Sequence, residues 1–135
     1  AVAMLSFVGD DGRSYLCSGV LLNDSVLSFT PYLHSASHCL ESARTARTLN
    51  TFWFFDAVAC NSKATPAYVQ RTGGAMLLGR SQDRDWALLR LNEAAPNGAY
   101  FAGWRAESVA SNATVTAIQP TTAAIPTMPD GGSSP

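Results

Sequence analysis

The stretch Tyr32-Leu33-His34-Ser35-Ala36-Ser37-His38-Cys39 places a histidine at the end of an apolar strand, behind three small residues and directly before a cysteine. The small residues let the backbone approach neighbouring strands, and a disulfide at Cys39 would hold the adjacent imidazole in one orientation. Cys17 is the natural partner because it lies on the preceding predicted strand. A disulfide that closes this loop would stabilise the fold by about 3 kcal/mol. A general base needs this kind of support, so the stretch predicts His38 as a candidate base.

The surrounding sequence consists of short β-type runs separated by turn signals, with no long stretch of helical periodicity. The candidate strands are residues 2–8, 14–22, 26–33, 51–60, 67–78 and 86–91. Residues 40–47 favour a helix but are too few to persist alone, so we expect a single turn there. Gly73-Gly74 is interpreted as a turn or bulge, because no Lys-Ser/Thr or helix follows to form a phosphate loop. The pattern indicates an all-β domain.

A second motif, Asp83-Arg84-Asp85-Trp86-Ala87-Leu88-Leu89-Arg90-Leu91, places acidic residues at the mouth of a strongly apolar strand. A carboxylate at that position can accept a hydrogen bond from an imidazole Nδ1, which sets the tautomer and stabilises the imidazolium. Asp85 adjoins the strand directly, so we interpret it as this carboxylate and expect Asp83 to be solvated. The alternative, a surface ion pair of Asp85 with Arg84 or Arg90, would contribute little stability in water.

Charge and hydropathy exclude two classes of partner. The chain has 135 residues, 9 Lys plus Arg and 10 Asp plus Glu, and a formal net charge of -1. Without a basic excess it has no electrostatic basis for binding phosphates, so we expect no nucleic-acid partner. The longest apolar stretches, such as residues 1–5 and 52–55, are far shorter than the roughly 20 residues that a membrane-spanning helix needs. We therefore expect no membrane partner and place any export signal upstream of this sequence.

The composition changes after Ile118. Residues 119–135 contain four prolines and end in Asp130-Gly131-Gly132-Ser133-Ser134-Pro135. Such a stretch supplies little apolar core. We therefore predict one folded domain over residues 1–118 and a low-complexity tail or linker over residues 119–135.

Three motifs in order resemble the N-terminal half of a chymotrypsin-like serine protease. They are Cys17-Ser18-Gly19-Val20-Leu21-Leu22, Ser35-Ala36-Ser37-His38-Cys39 and Asp85-Trp86-Ala87-Leu88-Leu89-Arg90-Leu91. Within that family the chain is most similar to the bacterial lysyl endopeptidase-like group. This similarity comes from the long segment between Cys17 and Cys39, from Tyr32 before the histidine motif, and from Gly98-Ala99-Tyr100-Phe101-Ala102-Gly103-Trp104. The resemblance covers residues 1–118.

The resemblance implies a single antiparallel six-stranded β-barrel, the first barrel of the chymotrypsin-like double-barrel fold. It implies that His38 is the general base, that Asp85 is the orienting carboxylate, and that Cys17 and Cys39 form the disulfide beside the histidine. Cys60 matches a position that in this group bonds a cysteine near the mature N-terminus. We therefore expect that partner upstream of this sequence, and Cys60 free or intermolecularly linked in the chain as given.

The family's nucleophile motif, Gly-Asp-Ser-Gly-Gly or a variant such as Gly-Ser-Ser-Gly-Ser-Pro, belongs to the second barrel and does not occur in this sequence. Residues 130–135 hold similar letters in another order, which we interpret as a coincidence. Ser37 stands where the family has Ala or His, a sterically mild change. The resemblance thus implies a serine endopeptidase with a Ser-His-Asp triad, present as a fragment that carries His38 and Asp85 and is inactive alone.

The expected partners are a protein or peptide substrate and the missing C-terminal barrel of the same polypeptide. We expect no cofactor, and we expect the protein to be secreted, extracellular or periplasmic, by a bacterium. The alternative function is a non-catalytic protease-like barrel that binds proteins, because a lone barrel exposes apolar surface at the face where its partner would sit.

Three other chemistries are weaker interpretations of the same residues. His34 and His38 imitate a metal-binding pair, but on a strand they lie about 13 Å apart along the axis, so we expect no metal site. Cys60 as a nucleophile lacks a basic neighbour before Lys63 that would lower its pKa. The aromatic residues 52–55 alternate in direction along a strand, which favours a core-and-rim role over a carbohydrate platform.

Overall fold

The computed structural model describes residues 1–56, 59, 64 and 66–118. These residues form seven strands and one short helix. They are β1 Val2–Val8, β2 Ser14–Leu22, β3 Tyr32–Ser35, α1 Ala43–Arg47, β4 Asn50–Trp53, β5 Val69–Arg71, β6 Ala75–Ser81 and β7 Trp86–Leu91. The seven strands pair antiparallel in one sheet of order β5-β4-β1-β2-β3-β7-β6. The all-β prediction is confirmed.

Three predicted strands, residues 2–8, 14–22 and 86–91, are confirmed with their bounds. The predicted strand at 26–33 is wrong over most of its length, because β3 begins only at Tyr32. Leu27 and Phe29 adopt φ values of 53° and 57°, which a strand does not permit. The preceding residues instead form a loop in which Asp24 accepts hydrogen bonds from the backbone and hydroxyl of Ser28.

The predicted strand at 51–60 is also shorter, since β4 ends at Trp53 and Phe54 has a φ of 62°. The predicted strand at 67–78 is two strands, β5 and β6, separated at Gly73-Gly74 as the turn signal there indicated. Gly74 has a φ of 70°, and an added Cβ would collide with the backbone carbonyl of Arg47. Only glycine allows this close approach of the chain to the end of α1.

The prediction of six strands closed into a barrel is not confirmed. The sheet has seven strands, and β5 and β6 form the two ends of its order. Among the described residues no ladder joins those two ends. β5 and β6 are consecutive in the chain, and residues 72–74 connect them. This bend divides one predicted strand into two, of which β5 pairs with β4 and β6 pairs with β7.

The core follows from strand alternation. Leu33 and Ser35 on β3 and Ala87 and Leu89 on β7 are buried, whereas His34 between them is exposed. The largest fully buried side chains are Trp53, Leu5, Leu21, Leu33, Leu40, Leu49 and Leu89. In the aromatic run at 52–55 only Phe54 is exposed, as the core-and-rim interpretation predicted.

The disulfide predicted between Cys17 and Cys39 is present, with a sequence separation of 22. It ties β2 to the turn that follows β3. Cys60 and the tail at 119–135 lie outside the described residues, as does part of the predicted strand at 51–60. In the part of the chain that is described, no helix has the length and apolar character needed to cross a membrane.

We expect Gly74→Ala to lower the free energy of unfolding by about 3 kcal/mol or more, because the new methyl group meets a positive φ and the Arg47 carbonyl together. Gly12→Ala is the matched control. Gly12 also has a positive φ, but nothing lies within 4 Å of the added Cβ, so its cost is about 1–2 kcal/mol. Urea unfolding measures both, and equal costs would contradict the close approach at Gly74.

Mass spectrometry tests the cysteine assignments. Residues 14–44 form one tryptic peptide that contains both Cys17 and Cys39. Before reduction this peptide is expected to be lighter than the same peptide after reduction by the mass of two hydrogen atoms. Cys60 lies in the peptide 48–63, which we expect free or linked to another molecule. A bond joining peptide 14–44 to peptide 48–63 within one chain would contradict the assignment.

Candidate functional site

His38 lies in a tight turn directly after β3. The backbone N–H groups of Cys39 and Leu40 both donate to the carbonyl of Ala36, at 3.3 and 3.4 Å. Ser35, the last residue of β3, donates its hydroxyl to the carbonyl of Ser18 on β2 at 2.7 Å. With the disulfide at Cys39, these contacts hold the His38 backbone from both sides, as the sequence predicted from the small residues and the cysteine.

Asp85 lies in the turn between β6 and β7. Its backbone N–H donates to the carbonyl of Gln82 at 3.3 Å, and its φ is 49°. Aspartate tolerates this left-handed conformation better than most residues because its short polar side chain can bond locally.

The pairing of β3 with β7 brings the two turns together. Ser35 is opposite Ala87 in that ladder, so the end of β3 that leads to His38 meets the end of β7 that begins at Asp85. The two functional residues are 47 positions apart in the chain, and this one register makes them neighbours.

Asp85 forms two hydrogen bonds with His38. The backbone N–H of His38 donates to Oδ1 at 3.0 Å, and Nδ1 of the imidazole lies 2.7 Å from Oδ2. The His38 side chain is 69% exposed and that of Asp85 is 50% exposed. The carboxylate therefore holds the backbone and the ring of the same residue while the other side of the ring faces solvent.

These contacts keep Asp85 ionised. The backbone N–H of His38, and after it the imidazole, lower the pKa of Asp85 below its ordinary value of 3.8. The nearby Ser37 backbone lowers the pKa of Asp85 slightly further, while partial desolvation raises it. Because an ionised carboxylate can only accept, Nδ1 carries the shared hydrogen in neutral His38 and Nε2 is left with a free lone pair. The arrangement can accept a proton at Nε2.

One group of possible metal ligands occurs in the described part of the chain. Cys17, His38 and Cys39 place their ligand atoms within 4.8 Å of one another. Both sulfurs are joined in the disulfide, whereas metals bind the thiolate. The closeness of the three groups therefore reflects support of the imidazole and not a metal site. His34 is not part of this group.

Ser37 and Arg80 are two further site residues that the sequence reasoning did not assign. Arg80 on β6 donates from Nη1 to the hydroxyl of Ser37 at 3.2 Å. The unusual serine before the histidine was visible in the sequence, but its donor was not, because a bulge in β6 decides where Arg80 points. Asp83, predicted to be solvated, is exposed.

Comparison with known proteins agrees with this geometry. The family model described as "Lysyl endopeptidase, C-terminal domain" matches residues 1–124, a range that contains both His38 and Asp85. A curated lysyl endopeptidase from Pseudomonas aeruginosa is 38% identical over 115 residues, which is 82% of this chain and 25% of that protein. The chain thus spans about a quarter of the length of this relative.

The pH dependence of stability tests the Asp85 contacts. A carboxylate whose pKa is lower in the folded than in the unfolded protein stabilises the fold above the unfolded value, and this stabilisation is lost as the pH falls through the folded value. We therefore expect wild type to be more stable than Asp85→Asn at pH 6, with a difference that shrinks between pH 4 and pH 2. Urea unfolding at each pH measures it.

Asp83→Asn is the control for this measurement, because it removes an exposed carboxylate in the same turn without touching His38. We expect it to change the free energy of unfolding at pH 6 by less than about 0.5 kcal/mol. A difference between wild type and Asp85→Asn that stays constant down to pH 2 would contradict the proposed contacts.

Proposed function

The chain belongs to the lysyl endopeptidase family, and from this premise we propose that it supplies the general base and the orienting carboxylate of a peptide-hydrolysing Ser-His-Asp centre. His38 is the base and Asp85 the carboxylate. The observation that carries the proposal is the pair of hydrogen bonds from His38 to the Asp85 carboxylate. They leave Nε2 as the basic atom on an exposed side of the ring.

In the proposed reaction Nε2 of His38 takes the hydroxyl proton of a serine as the serine oxygen attacks the carbonyl carbon of the scissile peptide bond. Asp85 accepts from Nδ1–H and stabilises the imidazolium that forms. The tetrahedral intermediate then breaks its C–N bond, and His38 returns the proton to the leaving amine. Water hydrolyses the resulting acyl-serine ester with His38 again acting as the base.

Exposure supports the assignment of His38 to this role. A histidine held only for structure would bury both ring nitrogens against fixed partners, yet the His38 side chain is 69% exposed. The surrounding contacts restrain the residue through its backbone, through Nδ1 and through the disulfide at Cys39. This combination of a restrained ring and an accessible Nε2 suits a base that must meet a group from another part of the polypeptide.

We propose that the nucleophile and the oxyanion-binding groups come from another part of the parent polypeptide, in a second barrel. The contact between His38 and Asp85 within the described sheet supports a centre whose remaining groups come from elsewhere. The relative's name points to endopeptidase cleavage at lysyl residues, which we propose for the parent protein. A disulfide-containing protease of this kind is proposed to be exported by a bacterium.

The alternative function, a protein-binding module without catalysis, is favoured by a different observation. Large apolar side chains are exposed beside β2, among them Phe29, Tyr100 and Trp104. Exposed apolar patches often mark interaction sites. The parent gene decides between the two functions, since a downstream Gly-x-Ser-Gly segment supports the protease and its absence supports the binding module.

Activity of the parent protein tests the catalytic assignment. We expect His38→Ala to lower kcat on a lysyl peptide substrate by about 10⁶-fold. Asp85→Asn is expected to lower kcat by about 10⁴-fold, because the amide no longer fixes the Nδ1–H tautomer. Asp83→Asn is the matched control and should retain activity. Loss of activity in Asp83→Asn, or its retention in His38→Ala, would contradict the assignment.

A serine-reactive phosphonate gives an independent reading of the same proposal. It should label one serine of the parent protein, and the label should depend on His38. The chain of residues 1–135 alone is expected to remain unlabelled and to hydrolyse no peptide. Labelling of this chain at Ser133 or Ser134 would overturn the view that the nucleophile comes from elsewhere.

A further inference from the structure

Arg80 lies near the end of β6 and reaches a buried polar group beside the catalytic pair. Its Nη1 donates to the hydroxyl of Ser37, whose residue is only 1% exposed. Among the described residues Arg80 forms no ion pair. Arg80 is itself exposed, so its guanidinium can stay hydrated while one N–H reaches the buried hydroxyl.

A bulge in β6 gives Arg80 its direction. The register shifts by one residue between Leu77 and Gly79, so that Arg80 lies opposite Ala87 and not opposite Trp86. A shift of one residue turns a strand side chain to the other face of the sheet. The bulge therefore places Arg80 opposite Ala87 near the end of β6, where its exposed side chain reaches the Ser37 hydroxyl. Bulges next to functional sites commonly redirect a side chain in this manner.

Ser37, whose hydroxyl accepts from Arg80, is linked through the next residue, His38, to the carboxylate of Asp85. Ser37 and His38 are consecutive, and the backbone N–H of His38 donates to Oδ1 of Asp85. The orientation of the peptide group between Ser37 and His38 thus decides whether Asp85 keeps this contact. The Ser37 hydroxyl is the side-chain anchor of that peptide segment on the β6 side, as the disulfide at Cys39 is on the β2 side.

We propose that Arg80 is a positioning residue for the His38–Asp85 pair. By holding the Ser37 hydroxyl, it keeps the turn after β3 in the conformation in which the backbone N–H and the imidazole of His38 both meet the Asp85 carboxylate. Its importance for catalysis rests on the proposed function, whereas its effect on the turn does not. Arginine suits the position because its long side chain spans two strands and its planar fork directs the donor, which a lysine ammonium does not do.

Amide hydrogen exchange in the 135-residue chain tests the proposal without any catalysis. The measured quantity is the exchange rate of the His38 amide relative to that of Leu89, a buried residue of β7. We expect Arg80→Gln to raise this ratio by about tenfold, since a hydrogen bond from a charged donor to a buried hydroxyl is lost. A merely structural contribution to the fold would speed exchange at Leu89 as well and leave the ratio unchanged.

Two control variants separate the contact from the charge. Arg84→Gln removes a positive charge from an exposed position in the turn that contains Asp85. Among the described residues no hydrogen bond joins the Arg84 side chain to Ser37, so the ratio should stay within about twofold of wild type. Arg80→Lys keeps the charge but not the planar fork, and should raise the ratio by less than Arg80→Gln. It also serves as the test if Arg80→Gln fails to fold.

A double-mutant cycle identifies the partner. Ser37→Ala should raise the ratio about as much as Arg80→Gln, and combining the two should raise it no further, because both remove the same contact. The proposal would be overturned if the effects of Arg80→Gln and Ser37→Ala on the ratio multiply in the double variant. It would also be overturned by an unchanged ratio in Arg80→Gln, Arg80→Lys or Ser37→Ala, or by equal effects of Arg80→Gln and Arg84→Gln.

In the parent protein the same Arg80→Gln change should lower kcat about tenfold while KM is retained, because misplacement of the pair affects the chemical step more than binding. Arg80→Lys should recover part of kcat. An unchanged kcat would refute the catalytic importance of Arg80. A parent protein without any peptidase activity would refute the proposed function, while the exchange measurements would still decide whether Arg80 positions the turn.

Discussion

The antiparallel pairing of β3 with β7 is the constraint on which the site depends. The ladder places Ser35 opposite Ala87, so the turn that follows β3 and the turn that precedes β7 lie together, and each carries one member of the proposed catalytic pair. Because strand side chains alternate, a shift of this register by one residue would turn the inward side chains of β7 outward. The buried Leu33 and Leu89, which are opposite each other in the same ladder, therefore specify the register and the site together.

The contacts of Asp85 show how a partly exposed carboxylate is kept in one orientation. A salt bridge between exposed side chains is worth little on its own, because solvent and ions screen it. Asp85 instead accepts first from the backbone of His38, a donor that cannot rotate away. The imidazole contact adds to this arrangement, and the turn is further tied to β2 by the disulfide and to β6 by the Arg80–Ser37 contact. Backbone donors thus provide the rigidity that side-chain pairs at a surface lack.

The strand prediction succeeded where local sequence decides the conformation. The patterns of β1, β2 and β7 predicted their bounds, because glycine or polar turn residues adjoin these strands, namely Gly9 after β1, Asn23 after β2, and Asp85 and Asn92 on either side of β7. It was wrong at residues 26–31, where apolar residues that favour a strand follow Asp24. The side chain of Asp24 competes for the backbone through its bonds to Ser28, and apolar composition alone does not reveal such a competing bond. It also counted residues 67–78 as one strand, although their two halves pair at opposite ends of an open seven-stranded sheet.

The sequence by itself predicted the all-β class, the partnership of Cys17 with Cys39, and His38 and Asp85 as candidate site residues, because each prediction depends on residue types within short motifs. The tertiary structure alone decided that the two side chains meet at 2.7 Å, that the sheet remains open in its pairing, and that Arg80 reaches Ser37. These features depend on ladder register and on a bulge. Register and bulges are set by how separate segments pack against one another, and that packing is not encoded in any single stretch of the chain.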